Sequence, residues 1–189
     1  MDEAKAKHYE VVDLDGDKAN RERFMGTLEK TSPRFVFLNG HGNEKVVAGQ
    51  NNEVLLKESD TAIKDKIIYA RACKSAQTLG PQTIENGATA YIGYVEDFIF
   101  VSEESKEARP TEDKVAALFL EPSNQVALSL LKGHSAEEAD RRAKEKFREN
   151  IEAVMLKGPR GLPGYYAILF NLAWDLRNQV CLGDKNATL

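Results

Sequence analysis

A chain of 189 residues is long enough for one domain or two small ones, and its 42% apolar and 30% charged side chains fill a core without a metal or disulfide staple. Its 26 Lys and Arg against 30 Asp and Glu leave a formal net charge of −4, which argues against a general nucleic-acid binder. The longest apolar runs, Val115–Leu120 and Tyr165–Phe170, fall far below the ~18 residues of a membrane span, and the N-terminus is charged rather than hydrophobic. In chain order, His8-Tyr-Glu-Val-Val-Asp13 reads as a strand, Asp13–Lys18 as a turn, and Ala19–Glu29 as a helix burying Phe24, Met25 and Leu28. Phe35-Val-Phe-Leu38 is a short continuous apolar run, expected to be a strand covered on both faces. Strand, helix, strand implies a right-handed crossover and a parallel pair. Lys45–Val47 and Val54–Leu56 flank Gly49-Gln-Asn-Asn52 and read as a hairpin. Lys66–Ala70 is a buried strand, 79–87 a helix closed by Asn86-Gly87, and Thr89–Gly93 and Phe98–Val101 are further strands.

Charge and Pro110 make Ser102–Pro110 an exposed loop. Beyond it Thr111 is expected to cap a helix over Val115–Leu120 that Pro122 ends or restarts, and Gly133 suits a helix end. Ser135 with Glu138 is a capping box, behind which Ala139, Ala143, Phe147, Ile151 and Met155 form one stripe on a long helix. Lys157–Gly164 must be a loop, and Tyr165–Leu176 is a final apolar helix in which Trp174 is core. Alternating strands and helices predict an α/β layered sandwich around a mostly parallel sheet, without internal repeats or linkers.

In an open parallel sheet, ligands bind beyond the carboxyl ends of the strands. Asn39-Gly-His-Gly-Asn43 follows one strand and Arg71-Ala-Cys-Lys-Ser75 follows another, so His41 and Cys73 are expected at one edge of one sheet. Either residue alone is unremarkable; the pairing suggests acyl transfer. A thiol near its usual pKa of ~8.5 is mostly protonated at neutral pH, and an imidazole can take that proton and return it to a leaving amine. The bare backbone around His41 admits close approach, and the Gly42 and Cys73 amides are candidate donors to an oxyanion.

Phe37-Leu-Asn-Gly-His-Gly42, Ala70-Arg-Ala-Cys-Lys-Ser75 and Gly87-Ala-Thr-Ala-Tyr-Ile-Gly93, in this order, resemble the caspase-like cysteine peptidases of clan CD. The gingipain-like and CHAT-domain members are most similar, and the likeness runs over about Tyr9–Leu131. Ala76 and Tyr94 depart from the glycine and tryptophan common there. The resemblance implies a three-layer α/β/α sandwich forming one peptidase domain over residues 1–189, which begins at a strand other than the family's first, so that a strand–helix unit is absent and an edge strand lies open. It implies His41 as general acid/base, Cys73 as nucleophile and Gly42 as oxyanion donor. It also implies Asp97, with Glu96 beside it, as a buried carboxylate pocket for a basic substrate side chain, and Ser102–Pro110, with Lys106 and Arg109, as a processing loop. Expected partners are a protein or peptide substrate and a regulatory protein, with no nucleic acid and no membrane; the expected location is the cytoplasm. Two rival readings are a non-catalytic regulatory module of the same fold and a transpeptidase using the same dyad.

Other residues carry less. Three histidines and two cysteines, widely separated, give no zinc spacing, and no cofactor is implied. Asp13, Asp15 and Asp17 lack the glutamate of a calcium loop and read as a turn. His8 and His134 are structural, Cys181 is inert, and the Asn186-Ala-Thr188 sequon is chance.

Overall fold

In a computed structural model describing residues 2–106 and 108–189, the β-branched and aromatic runs form the strands β1 (Phe35–Asn39), β2 (His41–Gly42), β3 (Val46–Ala48), β4 (Val54–Lys57), β5 (Ile67–Arg71), β6 (Ala90–Tyr94) and β7 (Gln179–Gly183). The α-helices are α1 (Asp2–Ala6), α2 (Arg21–Thr31), α3 (Leu79–Glu85), α4 (Lys114–Leu131), α5 (Ala136–Gly161) and α6 (Tyr165–Asn178). One sheet has the order β1-β5-β6-β7, parallel except for β7; the other is the small antiparallel β2-β3-β4. The protein is therefore a mixed α/β structure with a mostly parallel four-stranded sheet.

Successive side chains on a strand face opposite ways. Val36, Leu38, Ile68, Ala70 and Tyr91 thus join one core cluster with Phe24 and Leu28 of α2 and Leu79 of α3. Tyr69, Ile92 and Tyr94 join another with Val126 and Leu130 of α4 and Ala139 and Ala143 of α5. A third cluster, with Phe119, Phe147, Ile168 and Leu172, knits α4, α5 and α6 together.

Several expectations are corrected. His8–Asp13 is not a strand: His8 has a left-handed backbone (φ +62°), and Tyr9, Val11 and Val12 are exposed beside no partner strand. The crossover from that segment to β1 is therefore absent, and the parallel pairs are β1–β5 and β5–β6. Nor is β1 covered on both faces. It is an edge strand whose Phe37 is 39% exposed, stacked on Tyr69 (4.8 Å between centroids) with the Arg71 guanidinium 5.5 Å above the ring. Phe98–Val101 pairs with nothing, because β7, unforeseen in the sequence, occupies that side of β6.

In the helical third, Asp113 rather than Thr111 caps α4, its Oδ1 accepting from the Val115 and Ala116 amides (2.9 and 2.8 Å). Pro122 neither ends nor starts a helix but lies inside α4. A proline there donates nothing to the Leu118 carbonyl one turn back, and Asn150 Nδ2 of α5 donates to that carbonyl instead (2.7 Å). The α5 stripe holds through Phe147, then drifts onto Asn150 and Val154, leaving Met155 exposed, because a spacing of four outruns 3.6 residues per turn. The expected loop at Lys157–Gly164 is largely helix: α5 kinks at Gly158 (φ +67°) and resumes to Gly161. Half of the capping box forms: Ser135 Oγ accepts from the Glu138 amide, whereas the Glu138 carboxylate turns to Arg141 and Arg142. Ser102–Pro110 falls partly outside the described residues, at Glu107; Lys106 and Arg109 pair with Glu112 (3.2 and 3.1 Å). Among the described residues, no helix is long and apolar enough to cross a membrane and no group of three or more His, Cys, Asp or Glu could hold a metal ion.

Asn150→Ala should cost about 1–3 kcal/mol in urea unfolding, because it strands a partly buried carbonyl. In a Pro122→Ala background, where a main-chain donor returns, the same change should cost clearly less. Equal costs in both backgrounds would contradict this account of the helix.

Candidate functional site

The parallel pairing of β1 and β5 ends with Asn39 opposite Arg71, so the two chains leave the sheet level with one another at their carboxyl ends. The Gly40 amide extends the contact by donating to the Arg71 carbonyl (3.3 Å). A Cβ on Gly40 would run into the Ala48 carbonyl; one on Gly42 would lie 2.9 Å from Ala72 Cβ and 3.2 Å from the Cys73 carbonyl oxygen. Both glycines are needed to seat β2 between β3 and the Cys73 turn. Asn43 Oδ1 closes the following turn by accepting from the Lys45 and Val46 amides (2.9 and 3.1 Å), and the Leu79 amide ties Glu44 to the start of α3 (2.7 Å). His41 and Cys73, expected at one sheet edge, thus lie on adjoining segments there. Among the described residues their side chains make no hydrogen bond to each other; the His41 ring is exposed.

Cys73 opens a sharp turn. Lys74, next in the chain, has φ +54°, a conformation that costs a non-glycine residue of order 1 kcal/mol and is found disproportionately at functional sites. The turn is held from the far side: the Lys74 amide donates to the Glu96 carbonyl (3.0 Å), the Ala76 amide to Tyr94 (2.9 Å) and Gln77 Nε2 to Val95 (2.7 Å). The half-buried thiol makes a long contact with the Phe98 carbonyl (3.9 Å). Burial raises its pKa, and the adjacent Asp97 carboxylate raises it further, so the resting group is the neutral thiol. It becomes a nucleophile only when a base removes its proton.

Asp97 is beside Cys73 but is not the expected buried carboxylate. Its side chain is 50% exposed and faces Lys74 Nζ at 4.0 Å, a surface pair of small energetic weight. It stays on the surface because the strand expected at Phe98 is absent and the chain here is a loop. Glu96 acts through its carbonyl, as the acceptor for Lys74. Cys181 lies on β7, away from this edge, with a thiol that burial pushes up to about 11.

Three further residues belong to the site. Arg71, at the end of β5, donates from Nε to Asn39 Oδ1 (2.8 Å) and from a terminal nitrogen to Asn124 Oδ1 (2.9 Å), pinning α4 to the strand ends. Trp174 is not simply core: its indole N–H donates to the Asp97 carbonyl (3.0 Å). Asp175, fully buried, accepts from the Ile99 amide (3.1 Å) through Oδ1, while Oδ2 has no hydrogen-bond partner among the described residues. An acidic residue inside an otherwise apolar helix was the available sequence signal. Two depressions of about 240 and 660 Å³, near Asn20 and Gln50 and near Val12 and Arg23, include none of these residues.

Burial pushes the Asp175 carboxyl up to about 8, among neighbours that include the Tyr69 and Tyr94 hydroxyls. An unfolded aspartate loses its proton near pH ~4. Between that pH and about 8 the native state holds a proton the unfolded state lacks, so this group's contribution to stability declines as pH rises through that window. Asp175→Asn should remove most of the decline and be more stable than the parent at pH 8 by about 1–3 kcal/mol. Parallel pH–stability curves for the two proteins would contradict a buried acid.

No protein-family model matches the chain, and no curated protein matches it.

Proposed function

We propose that the chain is a cysteine endopeptidase of the caspase-like kind, a three-layer α/β/α sandwich with His41 and Cys73 as its dyad. The observation that carries the reading is the seating of Gly42 against the Cys73 turn, beyond two parallel strands paired to their last residues. The strained Lys74 conformation adds to it. His41 takes the proton from Cys73 Sγ, and the thiolate attacks the carbonyl carbon of a peptide bond. The Gly42 and Cys73 amides receive the oxyanion. Collapse breaks the C–N bond as the imidazolium gives its proton to the departing amine, leaving a thioester. Water, deprotonated by His41, attacks the thioester; the C–S bond breaks and the thiol returns. The chemistry calls on no cofactor.

Asp97 gives the substrate preference: a carboxylate beside the thiol, held only by a loose surface pair with Lys74, attracts an arginine or lysine side chain in the residue before the cut, which displaces Lys74 from it. The second reading, a non-catalytic regulatory module of the same fold, draws on the raised thiol pKa and the lack of a direct His41–Cys73 bond.

A fluorogenic peptide panel separates the two. Cys73→Ala should abolish turnover with little change in unfolding free energy, and His41→Ala should lower kcat about 10²–10⁴-fold. Cleavage that survives Cys73→Ala, or none with any peptide, contradicts the peptidase. Asp97→Asn should lower kcat/KM for peptides with Arg or Lys before the cut about tenfold or more, while alkylation of Cys73 by iodoacetamide persists. Efficient cleavage after Asp or Asn, with basic residues ignored, would contradict the role of Asp97.

A further inference from the structure

Residues 97, 98 and 99 are fastened one after another. The Asp97 carbonyl accepts from Trp174 Nε1 (3.0 Å), the Phe98 carbonyl faces Cys73 Sγ (3.9 Å), and the Ile99 amide donates to Asp175 Oδ1 (3.1 Å). The same helix reaches back once more, through the Asn178 carbonyl to the Val95 amide (2.9 Å). The Val95–Asn178 bond continues the β6–β7 ladder by one step, whereas the bonds at 97–99 do nothing for the strand ladders, since 97–99 pairs with no strand among the described residues. We propose that Trp174 and Asp175 of α6 are positioning residues that hold 97–99 over Cys73, and so set both the access to its thiol and the place of Asp97.

The carboxyl of Asp175 suits this role. In its protonated form it supplies a carbonyl acceptor for Ile99 without burying a charge, and Asn is its closest neutral substitute. Trp174 also stacks on Phe170 (6.0 Å, 22° between planes), which fixes the indole while its N–H points at the loop. The Phe98 ring leans on Tyr94 (4.9 Å), so the cover over the thiol is seated on the sheet as well. Asp97 is the charged side chain that acts on the thiol; Lys74, next to Cys73 in the chain, pairs with Asp97, and His41 is exposed on the adjoining segment. If α6 releases the loop, Cys73 loses cover and Asp97 moves away; both changes favour the thiolate and together outweigh the loss of the Phe98 backbone contact, which acts the other way.

The part of the inference that concerns Asp97 rests on the peptidase reading; the part that concerns Cys73 does not. The test uses the full chain and follows iodoacetamide alkylation of Cys73 across pH 6–10 by peptide mass mapping, which separates it from Cys181. In Trp174→Phe, which keeps the ring and loses the donor, and in Asp175→Leu, alkylation at pH 7.5 should rise about threefold or more with a lower pH midpoint. Asp175→Asn should restore the parent profile. With a peptide carrying Arg before the cut, KM should rise about five- to tenfold in the first two variants while kcat changes less. An unchanged alkylation profile in folded Trp174→Phe overturns the proposal, and that variant decides alone if Asp175→Leu does not fold. Should the parent cleave no peptide, the peptidase reading fails, and the alkylation profiles still decide whether α6 positions the loop.

Discussion

Because β1 and β5 run parallel and stay paired as far as Asn39 and Arg71, the two chains leave the sheet side by side, and His41 and Cys73, each two residues further on, start from matching positions. Everything else at the site depends on that register. A slip of one residue would turn every side chain of β1 to the opposite face, moving Val36 and Leu38 out of the core they share with Phe24 and Leu28. The hydrophobic pattern of β1 therefore fixes where the histidine emerges. Backbone contact does the rest: Gly42 rests on Ala72 and Cys73 at distances that no side chain could share.

On its other side the cysteine turn is packed against a loop that belongs to no strand. The main chain of 94–96 and the Gln77 amide hold the turn from within the sheet layer, while α6 holds 97–99 from outside it. The consequence is electrostatic. A thiol with partial burial and a carboxylate for a neighbour is kept protonated, which protects it from chance oxidation and makes reaction depend on a base. An exposed imidazole on the adjoining segment is the group available for that task.

Local signals made part of this architecture legible. Continuous apolar runs marked β1, β5 and β6, turn composition marked the β3–β4 hairpin, and glycine marked the end of α3. What local pattern could not show was competition between distant segments. His8–Asp13 and Phe98–Val101 have strand composition yet join no sheet among the described residues: the first leaves the edge of β1 unpaired, and the second is displaced from β6 by β7, which arrives from the far end of the chain. Pro122 reads as a helix break until Asn150, 28 residues on, supplies the missing donor. At this edge, the placement of His41, Gly42 and Cys73 beyond the ends of two strands was legible from the sequence. The surface position of Asp97 and the parts played by Trp174 and Asp175 were not, since each depends on how α6 meets a loop some 76 residues away in the chain.

The central claim is that Cys73 is a nucleophile served by His41, and covalent capture tests it most directly. A peptidyl acyloxymethyl ketone with arginine or lysine in the recognition position reacts at the rate of an enzyme only where a base and a bound peptide stand beside the thiol. The account predicts one adduct per chain, mapped to Cys73 and absent from Cys181, and forming far more slowly in His41→Ala. Equal labelling of both cysteines, at a rate indifferent to His41, would contradict it.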